Sequence, residues 1–88
     1  MEDDPLSSLL PKQRLIDLYL PNLDREMTVT VLVDGIEEDT FTVDPITVVD
    51  NKVQIAITRK GLHEIEVLID GASWNIFDYD FETGAVAN

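Results

Sequence analysis

TVTVLVDGIEEDTFTVD, residues 28–44, is a stretch the chain states twice. Thirty-six positions on, residues 64–80 read EIEVLIDGASWNIFDYD. Val31, Leu32, Asp34, Gly35, Phe41 and Asp44 recur at that offset as Val67, Leu68, Asp70, Gly71, Phe77 and Asp80, and Val29 and Val33 recur as Ile65 and Ile69. Each copy is an alternating β-branched run, an Asp-Gly pair, a polar bend and a second run opening on Phe. Alternation with period two is the mark of a strand with one face buried, and Asp-Gly is the chemistry of a tight hairpin turn. A hairpin written twice predicts an all-β fold.

The phase of each copy carries a second message. A two-residue turn at Asp34-Gly35 would put Glu38 and Thr40 on the face of Val33, yet Phe41 and Val43 have the opposite phase. The pattern therefore slips across 36–39, through a bulge or through a strand that crosses to a second sheet, and a crossing is what a sandwich needs. The same slip runs over 70–75, where an odd-length loop with a glycine bulge, Trp74 lying in it, would turn Phe77, Tyr79 and Phe81 inward.

Working outward, residues 52–58 (KVQIAIT) alternate cleanly, and with the repeat they supply nine inward candidates: Val29, Val31, Val33, Val53, Ile55, Ile57, Ile65, Val67 and Ile69. Residues 14–20 (RLIDLYL) offer Ile16, Leu18 and Leu20 to a strand and Leu15, Leu18 and Tyr19 to a helical stripe. Pro11 and Pro21 bracket too few residues for a helix, so the expectation is a first strand. A short strand is also expected at 46–49. About seven short strands at roughly ten-residue spacing predict a single β-sandwich of residues 14–82, with an extended arm at 1–13 and a small-residue tail at 83–88.

Gly61-Leu62-His63-Glu64-Ile65-Glu66-Val67-Leu68-Ile69-Asp70-Gly71, followed by an aromatic strand, resembles the last hairpin of immunoglobulin-like modules of the filamin type. There a glycine precedes a penultimate strand of alternating Val and Ile, and a Gly turn leads to an edge strand opening on Phe. The resemblance implies an immunoglobulin-like sandwich and covers residues 26–81. The chain departs from antibody-type domains in lacking the cysteine pair and the third-strand tryptophan, so nothing about antigen-type binding carries over.

Eighteen acidic residues against six basic give a net charge of −12, which repels phosphate backbones and anionic membranes and argues against nucleic-acid or membrane partners. With no cysteine, neither a disulfide nor a thiolate metal site is available. The first residues lack a basic n-region and a long apolar core, so no signal peptide is expected. The single histidine, His63, has no readable Ser or carboxylate at triad spacing, and the glycines are scattered, so neither an enzyme nor any cofactor is expected. The acidic groups at 37–39 and 78–82 follow no EF-hand pattern; on an exposed strand they serve as solvated edge protection, and calcium at a sandwich end is the rival reading.

What remains are apolar side chains without an evident core. Leu6, Leu9 and Leu10 belong to the arm, Leu32 and Leu68 occupy the outward phase at matched places in the two copies, and Trp74 falls in a bend. These six are the candidate interface residues. The reading they support is a non-enzymatic, assembly-dependent subunit, expected as a homo-oligomer or a capsid or tail subunit, best placed as a capsid-decorating (cement) or neck/tail protein in a bacteriophage virion. Two rivals stand beside it: an extracellular adhesin or carbohydrate-binding sandwich, and a small acidic inhibitor of a basic host protein.

Overall fold

The structure is a computed structural model that describes residues 10–46 and 48–87. Seven antiparallel strands form two sheets. β1 (Lys12–Tyr19) pairs with β4 (Lys52–Arg59) in a two-stranded ribbon; β2 (Met27–Val33), β3 (Ile36–Val43), β5 (Leu62–Ile69), β6 (Ala72–Asp80) and β7 (Ala85–Val86) form a five-stranded sheet in the order β3-β2-β5-β6-β7. The ribbon faces the larger sheet, and the core lies between them. Ile16, Leu18, Ile55 and Ile57 descend from the ribbon onto Val29, Val31, Val33, Val43, Ile65, Val67, Tyr79 and Phe81. The chain is thus an all-β sandwich, and each strand alternates because one face meets this core.

The sequence repeat is a structural one. Exchanging each residue with the one 36 positions away maps the β2:β5 ladder onto itself: Val29–Ile69 becomes Ile65–Val33, Thr30–Leu68 becomes Glu66–Leu32, and Val31–Val67 maps onto itself. The β2:β3 pairs map onto β5:β6 in the same way, Val29–Phe41 onto Ile65–Phe77 and Met27–Val43 onto His63–Tyr79. The ribbon joins the symmetry at an offset of 39, which brings Ile16 onto Ile55 and Leu18 onto Ile57 while keeping the β1:β4 pairs from Gln13–Thr58 to Tyr19–Lys52. The molecule is therefore two βββ units, β1-β2-β3 and β4-β5-β6, related by a pseudo-twofold axis through the Val31–Val67 pair.

Several expectations need correction. The slip at 36–39 is a bulge: Val31 faces Asp39 and Leu32 faces Glu37, leaving Glu38 extra, and β3 stays in the sheet of β2. In the second copy Val67 faces Asn75 and Leu68 faces Ser73, leaving Trp74 extra. Trp74 accordingly lies within β6, and no odd-length loop precedes that strand. Both turns are two-residue turns with both central residues at positive φ, Asp34 (53°) with Gly35 (82°) and Asp70 (52°) with Gly71 (85°), the geometry that matches strand twist and that Asp-Gly tolerates. A bulge suffices because the second sheet is supplied by the ribbon. Of the strand expected at 46–49, Ile46 and Val48 take no strand conformation and Val49 makes an isolated bridge to Lys52. β1 begins at Lys12, and Ala85 and Val86 pair with Asp80 and Tyr79.

Candidate functional site

The symmetry separates what the fold requires from what it does not. Each Asp-Gly aspartate fastens the two hairpins together. Asp34 N–H donates to the Glu64 carbonyl at 2.8 Å and its Oδ1 accepts from Glu64 N–H at 3.0 Å; Asp70 does the same with Thr28, at 2.8 and 2.9 Å. Each carboxylate has a second, basic partner: His63 Nδ1 lies 2.5 Å from Asp34 Oδ2, and Arg25 Nη1 donates to Asp70 Oδ2 at 3.0 Å. His63 Nε2 lies 2.8 Å from the Lys60 carbonyl, and its ring meets Phe81 edge-on. His63 is held as a fastening between turns. The Asp34 carboxyl sits below its ordinary value because of the His63 hydrogen bond first and the Glu64 N–H second. The paired backbone and carboxylate bonds of Asp34 and Asp70, with a basic partner for each, occur in both halves and belong to the fold; the Lys60 and Phe81 contacts are particular to His63.

The two long sides of the sandwich are where the halves differ. Both bulge residues reach across to the ribbon. Trp74 Nε1–H donates to the Tyr19 carbonyl at 2.8 Å. At the matching place Glu38 pairs with Arg59, whose Nη1 donates to the carbonyl of Thr58, the counterpart of Tyr19. Between β1 and β6 a cleft of about 390 Å³ opens, its apolar lining including Leu15, Ile16, Tyr19, Phe77, Tyr79 and Val86. Among the described residues Asp17 is its one charged lining group, and Gln54 Nε2 donates to it at 3.0 Å. One end is closed by Arg14, which donates to the carbonyls of Phe81 and Glu82 at 2.9 and 2.8 Å, and by the Lys12–Glu82 ion pair. The Trp74–Tyr19 bond crosses near the other.

Leu15 is 61% exposed, Tyr19 64%, Trp74 47% and Ile76 53%. Their counterparts on the β3/β4 side are Gln54, Thr58, Glu38 and Thr40. The same backbone stands with polar residues at all four places, so the exposed apolar groups of the β1/β6 side are not a condition of folding. Other exposed apolar residues, Ile36, Ile46, Val49 and Leu62, sit singly at turns and strand ends, as on most proteins. Leu15 and Tyr19 line the cleft and Trp74 is bonded to Tyr19; these three are the candidate site, Ile76 taking the outer face of β6 opposite Glu66, and the chemistry of the site is that of contact.

Of the residues singled out from sequence, Trp74 lies at this site. Leu32 and Leu68 stand side by side on the outer face of the five-stranded sheet, half-buried, opposite Glu66 and Thr30. Leu10 is exposed, and Leu6 and Leu9 lie outside the described residues. Sequence reasoning missed Leu15 and Tyr19. Their signal was present, since both take the outward phase once residues 14–20 are a strand. Among the described residues no three His, Asp or Glu side chains converge to hold a metal ion.

Fold and site together define a class: an all-β sandwich with one apolar side. No family model, curated protein or solved structure matches the chain.

Proposed function

We propose that the chain is a non-enzymatic structural subunit that assembles with other protein through the side formed by β1 and β6. The observation that carries this reading is the contrast between matched positions: Leu15, Tyr19, Trp74 and Ile76 where the other half has Gln54, Thr58, Glu38 and Thr40. The strand pairing supports the finer, immunoglobulin-like resemblance. β1 with β4, facing β3-β2-β5-β6, follows the order of strands B and E against C′, C, F and G in such domains. The setting proposed is a tailed-bacteriophage particle, as a decorating or neck/tail component, for which a net charge of −12 keeps neighbouring particles apart.

The test borrows its design from the symmetry. Leu15→Gln, Tyr19→Thr and Ile76→Thr together place on the apolar side the residues its counterpart already carries. In native mass measurements the wild-type chain is expected in a larger particle and the triple variant free, with the same β-type far-UV spectrum and thermal midpoint. A variant that assembles like wild type sinks the reading. Two neighbouring exposed aromatics, Tyr19 and Trp74, favour a second reading, a carbohydrate-binding sandwich in which sugar rings stack on them. A glycan array that retains the wild-type chain but not Tyr19→Thr would establish it.

A further inference from the structure

We infer that the inner face of each βββ unit is a docking surface for a second copy of this chain, two copies exchanging units to close as a strand-swapped dimer, with the chain opening at the Asp50-Asn51 turn. The strand pairing singles this face out. β1 pairs with β4 and β2 with β5, and both ladders run between units. Within a unit the pairs are those of the hairpins, β2 with β3 and β5 with β6, and β7 is added to β6. Among the described residues β1 therefore has no strand partner in its own unit. The core is divided in the same way, with Ile16, Val29 and Val31 of the first unit buried in one cluster with Ile57, Ile65 and Val67 of the second. A unit without a sister keeps its hairpin and loses its core.

The chain passes between the units once, after β3 and before β4, and the passage ends in a tight turn. Lys52 N–H donates to the Val49 carbonyl at 3.2 Å, with Asp50 at φ 58° and Asn51 at φ 52° between them. The hairpin turns at Asp34-Gly35 and Asp70-Gly71 have the same pair of positive φ values, and each puts glycine second. The turn between the units puts asparagine there. It holds two side chains in left-handed backbone, a strain that glycine does not feel. Asn51 is tied to the first unit, its Nδ2 donating to Asn22 Oδ1 at 3.0 Å and its carbonyl accepting from Leu20 N–H at 2.7 Å. The first unit of a second copy offers Asn51 the same two groups.

Exchange keeps both ladders and the whole core, because each unit finds in the second copy the sister it has in its own chain. The balance between closed chain and exchanged pair therefore lies in the turn. Opening it releases the Val49–Lys52 bond and both positive-φ residues, and a short turn under strain is the kind that invites exchange. Concentration then adds to the drive by mass action. Two units related by a twofold axis close on each other as a dimer with no edge left over. Unlike docking through Leu15, Tyr19 and Trp74, exchange leaves the outer surface of each sandwich as it is.

The experiment is sedimentation of full-length chains refolded from urea at rising concentration, with far-UV spectra to confirm folding. Wild type is compared with Asp50→Pro, Asp50→Gly/Asn51→Gly and Leu15→Gln/Tyr19→Thr. Proline cannot take the positive φ of the turn and holds Val49 extended, whereas two glycines remove the strain. Isotope-filtered NOEs on equal mixtures of labelled and unlabelled chains report whether the Ile16–Ile55 and Val31–Val67 pairs lie within one copy or between two.

The expected result is a dimer with Ile16–Ile55 NOEs between copies, strengthened at least tenfold by Asp50→Pro, weakened at least tenfold by the two glycines and unchanged by Leu15→Gln/Tyr19→Thr. A wild type that is monomeric at every concentration, or a folded and monomeric Asp50→Pro, overturns the exchange. So does a dimer whose Ile16–Ile55 NOEs stay within one copy; if Leu15→Gln/Tyr19→Thr abolishes that dimer, the docking side holds it instead. A dimer indifferent to both turn variants overturns the turn as the place of opening. Should Asp50→Pro not fold, an equimolar refolding of full-length Val31→Asp with Ile57→Asp decides. The intact units of the two chains then make one sandwich and restore half of the wild-type β signal, and a mixture no more folded than its parts overturns the exchange.

Discussion

Asp34 and Asp70 show how much one residue type carries here. Each supplies the positive-φ position of a hairpin turn, a backbone bond and a carboxylate bond to the neighbouring hairpin, and a partner for a basic side chain. Replacing either with Ala at neutral pH is expected to cost about 1–2 kcal/mol in urea unfolding, and the two losses should match because the bonds do. Asp34 has a pH signature as well. Its folded carboxyl sits below the ordinary 3.8, chiefly through His63, so the unfolded chain takes up the proton more readily. The stability it contributes is whole above the unfolded value and drains as pH falls through the folded one. Glu82, lowered first by Lys12, acts in the same direction at the closed end of the cleft. Urea midpoints should therefore fall steeply below about pH 4 in the wild type and less steeply in Asp34→Asn and Glu82→Gln. Parallel profiles would mean that these bonds are also present in the unfolded chain.

At the scale of the element, the bulges decide which side chains reach the core. Without an extra residue, the strands after the turns would present Thr40, Thr42, Ile76 and Asp78 inward. With Glu38 and Trp74 looped out, Phe41, Val43, Phe77 and Tyr79 face the core instead. Deleting Trp74 is expected to leave the pairs Ile65–Phe77 and His63–Tyr79 intact, because the turn and the remaining register close without it; the loss is the Tyr19 bond, about 1 kcal/mol. Deleting Asp78 instead shifts the strand between Phe77 and Tyr79 and turns buried Tyr79 outward, at about 3 kcal/mol or more. Interstrand NOEs distinguish the outcomes. This is also where the sequence was legible and where it stopped. Alternation disclosed the strands, and the opposed phases of Val33 and Phe41 disclosed a slip of one residue. They did not say whether one extra residue bulges or a strand changes sheet, because that depends on what covers the inner face, and the cover comes from β1 and β4, far off in sequence. Leu15 and Tyr19 escaped notice for a related reason. An outward leucine means little until its neighbours are known, and theirs are β6 and β7.

For the molecule as a whole, the pseudo-twofold axis makes matched positions into experiments on one another. Val31 and Val67 face each other at the axis, both buried, with neighbours that correspond pair by pair. Fold-determined energetics should respect the symmetry, so Val31→Ala and Val67→Ala are expected to destabilise by equal amounts, about 1.5–3 kcal/mol each. The double variant should fall short of the sum, because the second truncation enlarges a cavity whose walls the first has already allowed to relax. Function has no reason to respect the symmetry. Leu15→Gln, Tyr19→Thr and Ile76→Thr, which import the polar half's residues, should change stability by no more than about 0.5 kcal/mol apiece, the ordinary effect of a surface substitution. The reverse transfer, Gln54→Leu, Thr58→Tyr and Thr40→Ile, should cost equally little in folding while giving the β3/β4 side an apolar surface. Calorimetric melts of the two triple variants and the wild type, at dilutions where all are monomeric, are the measurement. Three coincident melts mean that the apolar side is dispensable to the fold and is kept for contact. A large loss from the first triple alone would make Leu15, Tyr19 and Ile76 part of the core after all, and the two halves would differ in their folding rather than in what they bind.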